Sequence, residues 1–125
     1  KKQWRKDNPD LARERDRKNN SRSKEYRRKY YEDYHKRRPF AAPARNSVQN
    51  AKRRGVESLN FREMEEAMKS ISDMYPYCLA CGAVDYLEFD HIMPLALGGP
   101  NHPDNLQVLC RHCNSKKHAT YKDYR

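Results

Sequence analysis

Apolar side chains recur three and four positions apart in the middle of the chain and two apart nearer its end. Phe61, Met64, Met68, Ile71 and Tyr75 share one face of a helix predicted over residues 60–75, where Asn60-x-x-Glu63 has the form of a capping box. Ala44, Val48 and Ala51 predict another helix over 44–54, with Gly55 placed to stop it. Tyr86-Leu87-Glu88-Phe89-Asp90-His91 alternates as a short strand does, and Leu106-Gln107-Val108-Leu109 reads as a second. Pro94, Gly98-Gly99-Pro100 and Pro103 force an irregular loop between them, and helix formers dominate from Arg111 to about Tyr121.

Residues 1–38 lack such an apolar face but still read as mostly helical. Asn8-Pro9-Asp10 marks a helix start, with Pro9 suited to the first helical position. Asn19-Asn20-Ser21 interrupts the pattern, and a weak 12-residue echo links Arg15-Asp16-Arg17 to Arg27-Arg28-Lys29. Tyr26, Tyr30 and Tyr34 form an aromatic stripe four residues apart, suited to packing on the globular part of the chain or to stacking on bases. Residues 39–43, from Pro39 to Pro43, break the helix and read as a linker.

Composition changes this picture in one respect. With 125 residues, 36% hydrophobic and 35% charged, the chain suits one small domain with an appendage and cannot sustain one core throughout. Its net charge of +10 is unevenly spread: residues 1–54 hold 20 of the 27 basic residues and 7 of the 17 acids, +13, and residues 55–125 carry −3. A basic arm on a mildly acidic module points to a polyanion, with nucleic acid favoured. A solvated helix surface is the plainer alternative. An anionic membrane is disfavoured, because the arm has no Trp/Phe/Leu face and no apolar run approaches the ~18 residues of a membrane span. The residues given open on no charged-then-apolar leader, and a cytoplasmic location is expected.

Cys78, Cys81, Cys110 and Cys113 form two C-x2-C pairs with 28 residues between them. Two such turns are a common way to surround one structural zinc with four thiolates. Disulfides fit poorly with a Lys/Arg-rich chain lacking a leader, and a redox pair leaves the second pair unexplained. A module this small needs such a staple.

The run Asp90-His91-Ile92-x-Pro94-Leu95, then Gly98-Gly99, then Asn105-Leu106-x-x-Leu109-Cys110-x-x-Cys113-Asn114 and Lys117, resembles the HNH endonucleases with the ββα-metal fold. The resemblance covers residues from about 56 to 125; the Arg-rich, Asn-Pro-containing arm is only weakly similar to leaders of phage and prophage members. It implies an α+β protein, a small zinc-stapled ββα-metal module over residues 55–125 preceded by a basic, mostly helical arm over 1–54 with a break near 39–43.

The same resemblance implies roles. His91 is the general base for water, and Asp90 and Asn114 hold one Mg²⁺ or Mn²⁺ ion. Asn105 orients His91 and ties the loop to the strand. Asn114 stands where many members have His, which makes this an H-N-N variant. Lys117, and less closely Lys116, would contact phosphate; independently of the resemblance, the arm's charge makes Arg27, Arg28, Lys52, Arg53 and Arg54 candidates for the same contact. The chemistry is coherent without the name: phosphodiester hydrolysis needs a base, a divalent cation and charge neutralisation. Histidine titrates nearest neutral pH, and carboxylate and amide oxygens favour hard cations.

The other histidines read as structural: His102 in the loop, His112 on the exposed knuckle and His35 on the arm, with His112 or His118 needed as zinc ligands only if a thiolate fails. The expected function is nicking or double-strand cleavage of double-stranded DNA, as a monomer or homodimer. The alternatives are a catalytically silent zinc-knuckle DNA-binding protein and, less supported, an RNA-binding module, since no aromatic cluster flanks the knuckle.

Overall fold

In the computed structural model, which describes residues 2–125, the chain divides into two compact units that part between Pro39 and Phe40. The first holds α1 (Lys2–Asp7) and α2 (Pro9–Arg37). Pro9 opens α2 as expected, but the Asn8 side chain turns back to the Trp4 carbonyl at 3.1 Å and does not cap. Arg5 meets Asp16 at 3.0 Å and the Arg15 guanidinium lies 4.7 Å from the Trp4 ring, so α1 folds back beside α2.

The expected interruption at Asn19-Asn20-Ser21 does not occur, and α2 runs through it. Asparagine and serine cost a helix only ~0.5–0.7 kcal/mol each relative to alanine. Acid-before-base pairs four residues apart flank the spot: Glu14–Lys18 at 2.8 Å, Glu25–Lys29 at 3.3 Å and Asp33–Arg37 at 2.6 Å. Each contributes ~0.3–0.5 kcal/mol at an exposed helix surface. The tyrosines pair along α2, with Tyr30 and Tyr34 stacked at 6.4 Å. The helix stops at Arg37, because Pro39 drives Arg38 out of the helical region, to φ −133°.

The second unit, Phe40–Arg125, carries α3 (Ala41–Arg54), α4 (Phe61–Met74), β1 (Leu87–His91), β2 (Leu106–Cys110) and α5 (Arg111–Lys117). The linker expected over 39–43 shrinks to a turn, because Pro43 sits in the first turn of α3, where no backbone N–H is required. The compact unit therefore begins at Phe40, upstream of the boundary expected between residues 54 and 55. Its cause is a small-residue face: Ala41, Ala44, Ser47 and Ala51 are buried, and α3 packs on α4. Gly55 ends α3 in the left-handed region, at φ 65°. At the start of α4 the capping box forms in full, with Asn60 accepting from the Glu63 N–H and Glu63 accepting from the Asn60 N–H, both at 3.1 Å.

β1 and β2 pair antiparallel, Leu87 opposite Cys110, Asp90 opposite Gln107 and His91 opposite Leu106. Met64 and Met68 form one core with Ala44 and Leu106, packed round by Phe40, Val48 and Phe89 among others. A separate cluster joins Cys78, Leu109 and Cys110. The methionine stripe thus meets the module through Leu106 and Phe89 rather than at its cysteines. α5 ends earlier than expected, at Lys117, because His118 takes φ 52° and Thr120 Oγ1 donates to the Lys117 carbonyl at 2.6 Å. The tail then returns to the sheet, where Gln107 donates to the Lys122 carbonyl at 2.8 Å and accepts from the Tyr124 N–H at 2.9 Å.

Met68 is 1% exposed and Met74 64%. Met68→Ala is expected to lower unfolding stability by ~2–5 kcal/mol through the cavity it leaves, whereas Met74→Ala should stay within ~0.5 kcal/mol. Urea titration of both variants checks this, and equal losses would mean the stripe is not core.

Candidate active site and thiol cluster

The four cysteine sulfurs lie within 4.8 Å of one another. Tight turns bring them there: the Gly82 N–H donates to the Cys78 carbonyl and the Cys78 N–H to the Ala83 carbonyl, both at 2.7 Å, while Cys110 caps α5 by accepting from the Cys113 N–H at 3.4 Å. Cys81 Sγ and Cys110 Sγ are 3.8 Å apart, far beyond a disulfide. Four sulfurs ~2.3 Å from a tetrahedral ion have edges of about 3.8 Å, so the cluster fits a metal ion. Burial opposes ionisation of Cys78, but backbone N–H groups of Cys110, Cys81 and Ala80 outweigh it and bring its pKa to about 6. Hydrogen bonds with Cys110 and Cys81 push Cys113 up to about 12, since they favour its neutral thiol.

Beside this cluster, period two on β1 meets period three on α5. Glu88 and Asp90 project from one side of β1, and Arg111, Asn114 and Lys117 lie along the facing side of α5. Glu88 accepts from Arg111 Nε at 3.2 Å and from Asn114 Nδ2 at 2.8 Å. Asp90 accepts from Gln107 Nε2 at 2.8 Å and pairs with Lys117 Nζ at 3.1 Å, and Lys117 also donates to the His91 carbonyl at 3.0 Å. The Lys117 side chain is wholly buried, which corrects the expectation that it contacts phosphate. Lys116 stays exposed, on a groove it shares with Cys81 and His112.

His91 leaves β1 on the other side. Its Nε2 lies 2.8 Å from Asn101 Oδ1. Asn105 has no hydrogen bond to His91 among the described residues. Its Oδ1 accepts from the Met93 N–H at 2.8 Å, and its Nδ2 donates to the carbonyls of Met93 at 2.9 Å and Pro100 at 2.8 Å. Of its two expected duties, tying the loop to the strand is visible, and the histidine contact belongs to Asn101. Gly99 is required in that loop, since a Cβ there would come within 1.9 Å of the Met93 carbonyl oxygen.

Asp90, His91, Asn114 and His118 line one cleft of about 430 Å³, together with Asn50 and Arg54 from α3. Burial lowers the pKa of His91 below the ordinary imidazole value, against the opposing pull of Asn101 and Asp90. The imidazole is therefore neutral near pH 7, as a proton acceptor must be. Asn114 commits its amide nitrogen to Glu88, which leaves its oxygen for another partner. That oxygen and the Asp90 carboxylate, which meets Gln107 and Lys117, are donors of the hard kind that divalent cations prefer. Arg27 and Arg28 are exposed on α2, Lys52 and Arg53 are exposed at the end of α3, and Arg54 is at the cleft.

Sequence reasoning missed Asn101, Glu88 and Gln107. Glu88 was signalled by standing two residues from Asp90 on a strand; Gln107 required the register, and Asn101 required the tertiary fold.

Residues 76–120 match the family model described as HNH endonuclease. A protein of Lactococcus phage SK1 described as "Probable HNH endonuclease" is 40% identical over 53 residues, which cover 36% of this chain and 56% of that relative. The chain thus spans little more than half the length of that relative. No solved structure matches.

Lys117→Met should destabilise the fold by ~3–5 kcal/mol, because it strands a buried Asp90 carboxylate, while Lys116→Met on the exposed face should stay within ~0.5 kcal/mol. Urea unfolding of the two variants decides it; similar values would show that the ion pair is solvent-screened.

Proposed function

Starting from the HNH match over residues 76–120, we propose that this protein is a metal-dependent endonuclease that hydrolyses phosphodiester bonds of double-stranded DNA. The observation that carries this reading is that His91, Asp90 and Asn114 share one cleft with Arg54. His91 takes a proton from water as the water oxygen bonds to phosphorus. The bond from phosphorus to the 3′ oxygen breaks, and that oxygen takes a proton from solvent, leaving a 5′-phosphate and a 3′-hydroxyl. Asp90 and Asn114 would hold one Mg²⁺ or Mn²⁺ ion, whose charge would stabilise the negative charge that builds on phosphate and leaving oxygen. Arg54 adds a fixed positive charge at the same cleft, and Asn105 keeps the loop after β1 in register with β2.

Cys78, Cys81, Cys110 and Cys113 would hold one Zn²⁺ as a structural ion. The excess positive charge of residues 1–54, with Arg27, Arg28, Lys52 and Arg53 exposed, suits the DNA backbone, and Lys116 extends the basic surface near the knuckle. The protein acts in the cytoplasm as a monomer or homodimer. A second reading, a catalytically silent DNA-binding protein, has one observation in its favour: both Asp90 oxygens already have partners, in Gln107 and Lys117.

Plasmid cleavage with Mg²⁺ or Mn²⁺ separates the two. The wild-type chain should convert supercoiled DNA to open-circle or linear form, and His91→Ala should slow this by ~10²–10⁴-fold, the usual contribution of a general base. Retarded but uncut DNA with both proteins would establish the silent reading. Because burial disfavours the imidazolium form, His91 stays neutral to lower pH than an exposed histidine. Activity should therefore persist as pH falls below about 6.5 and be lost only through the depressed pKa; an acid limb centred above that value would exclude His91 as the titrating base.

Metal analysis tests the staple independently. One zinc per chain should be found, and Cys78→Ser or a strong chelator should unfold the second unit. A chain that keeps its melting temperature after zinc removal would show that the ion is not structural.

A further inference from the structure

The HNH match begins at residue 76, yet the side chain that touches His91 is tied to residues well before it. Asn101 is completely buried. Its backbone N–H donates to the Glu57 carbonyl at 2.7 Å, and its carbonyl accepts from the Leu59 N–H at 3.2 Å. Its Nδ2 donates to Ser47 Oγ on α3 at 3.2 Å and to Ser58 Oγ at 2.9 Å.

The two serines decide which way the amide faces. Ser47 Oγ donates its proton to the Ala44 carbonyl at 3.0 Å, and Ser58 Oγ donates its own to the Leu59 carbonyl at 2.7 Å. Each hydroxyl has one proton, already committed, so toward Asn101 each can only accept. The atom between them must then be the amide nitrogen, and Oδ1 is turned to His91. An oxygen there can only accept, so His91 Nε2 must carry the proton, and Nδ1 keeps the lone pair.

We infer that Asn101 is the positioning residue for His91, fixing its neutral ring in the Nε2–H tautomer so that Nδ1 is the nitrogen that accepts the proton, with Ser47 and Ser58 holding Asn101 in that sense. The inference rests on the nuclease reading only for the use made of Nδ1. The segment between Phe40 and Leu59 is thereby part of the site: Ser47, Asn50 and Arg54 run along one side of α3, and the last two line the cleft. When Nδ1 takes a proton from water the ring becomes an imidazolium, and Asn101 Oδ1 goes on accepting from Nε2. No second proton transfer is needed. A neutral amide also differs from a carboxylate in this place, because it orients the ring without adding a charge.

The tautomer can be read without DNA. The full chain with 15N-labelled histidines, recorded at about pH 8 where the neutral ring dominates, should give His91 the shifts of a protonated Nε2 and a bare Nδ1, its signals identified by their loss in His91→Ala. A protonated Nδ1, or a mixture of tautomers, in the wild type overturns the inference whatever the variants do. Asn101→Ala should give a mixture and lower kcat by ~10–100-fold with KM within ~2-fold, as for a misplaced base. The Ser47→Ala/Ser58→Ala double variant, which keeps Asn101 and its backbone bonds, should also give a mixture, because the amide can then turn over. An unchanged single tautomer in either variant overturns the assignment. If wild-type DNA stays uncut while the tautomers behave as stated, the nuclease reading fails and the positioning role stands.

Discussion

A polar side chain buried without a partner costs of order 1–3 kcal/mol, and a buried charge costs more. The unit Phe40–Arg125 buries Ser47, Asp90, Asn101, Asn105, Gln107 and Lys117, and none of its described buried side-chain nitrogens and oxygens is left without a hydrogen bond. That obligation shapes the unit more than its apolar core does. Gln107 draws the C-terminal tail across β2, Asn105 closes the loop onto Met93 and Pro100, and Asn101 joins the loop to α3 and to the strand-like bridge at Ser58. A network satisfied at every member has one arrangement, and the arrangement it enforces puts His91, Asp90 and Asn114 on a common cleft.

The thiol cluster answers the same need at the other end of the sheet. Leu79, Ala83, Leu87, Cys113 and Tyr124 pack round Cys78, Leu109 and Cys110, and a metal ion held by the four sulfurs would reinforce this small cluster. It also fixes where α5 begins, since Cys110 is at once the end of β2, a member of the cluster and the cap of the helix. The position of Asn114 and Lys117 against β1 follows from that start, one and two turns along.

Much of this was legible in the sequence because it is local. The Phe61–Met74 helix announces itself through its capping box and apolar spacing, the strands through alternation and the cluster through two C-x2-C turns. What failed was set by distance or by competition. The apparent break at Asn19 was overruled by ion pairs on either side. Pro43 looked like a breaker but stands where a helix tolerates proline. The arm seemed to reach residue 54 because α3 is basic at its end, whereas its alanine face, which spacing alone does not rank above a charge cluster, commits it to α4. In the site, Asp90 and His91 were readable as neighbours on a strand. The contacts of His91 with Asn101 and of Lys117 with Asp90 span loops and helices, and no periodicity encodes them.

Lys117 is the clearest case of a residue whose type misleads. On a helix near a proposed phosphate site a lysine suggests a phosphate contact, yet this one is spent inside. Its effect falls on the neighbouring histidine as well. Asp90 adjoins His91 in sequence, and its carboxylate favours the imidazolium form. Lys117 stands against the same carboxylate and pulls His91 the other way. Burial is the largest influence on His91 and lowers its pKa against the pull of Asn101 and Asp90, and Lys117 adds a smaller push in the same direction. One strand end thus carries, side by side, a carboxylate held by Lys117 and Gln107 and a histidine that burial keeps uncharged.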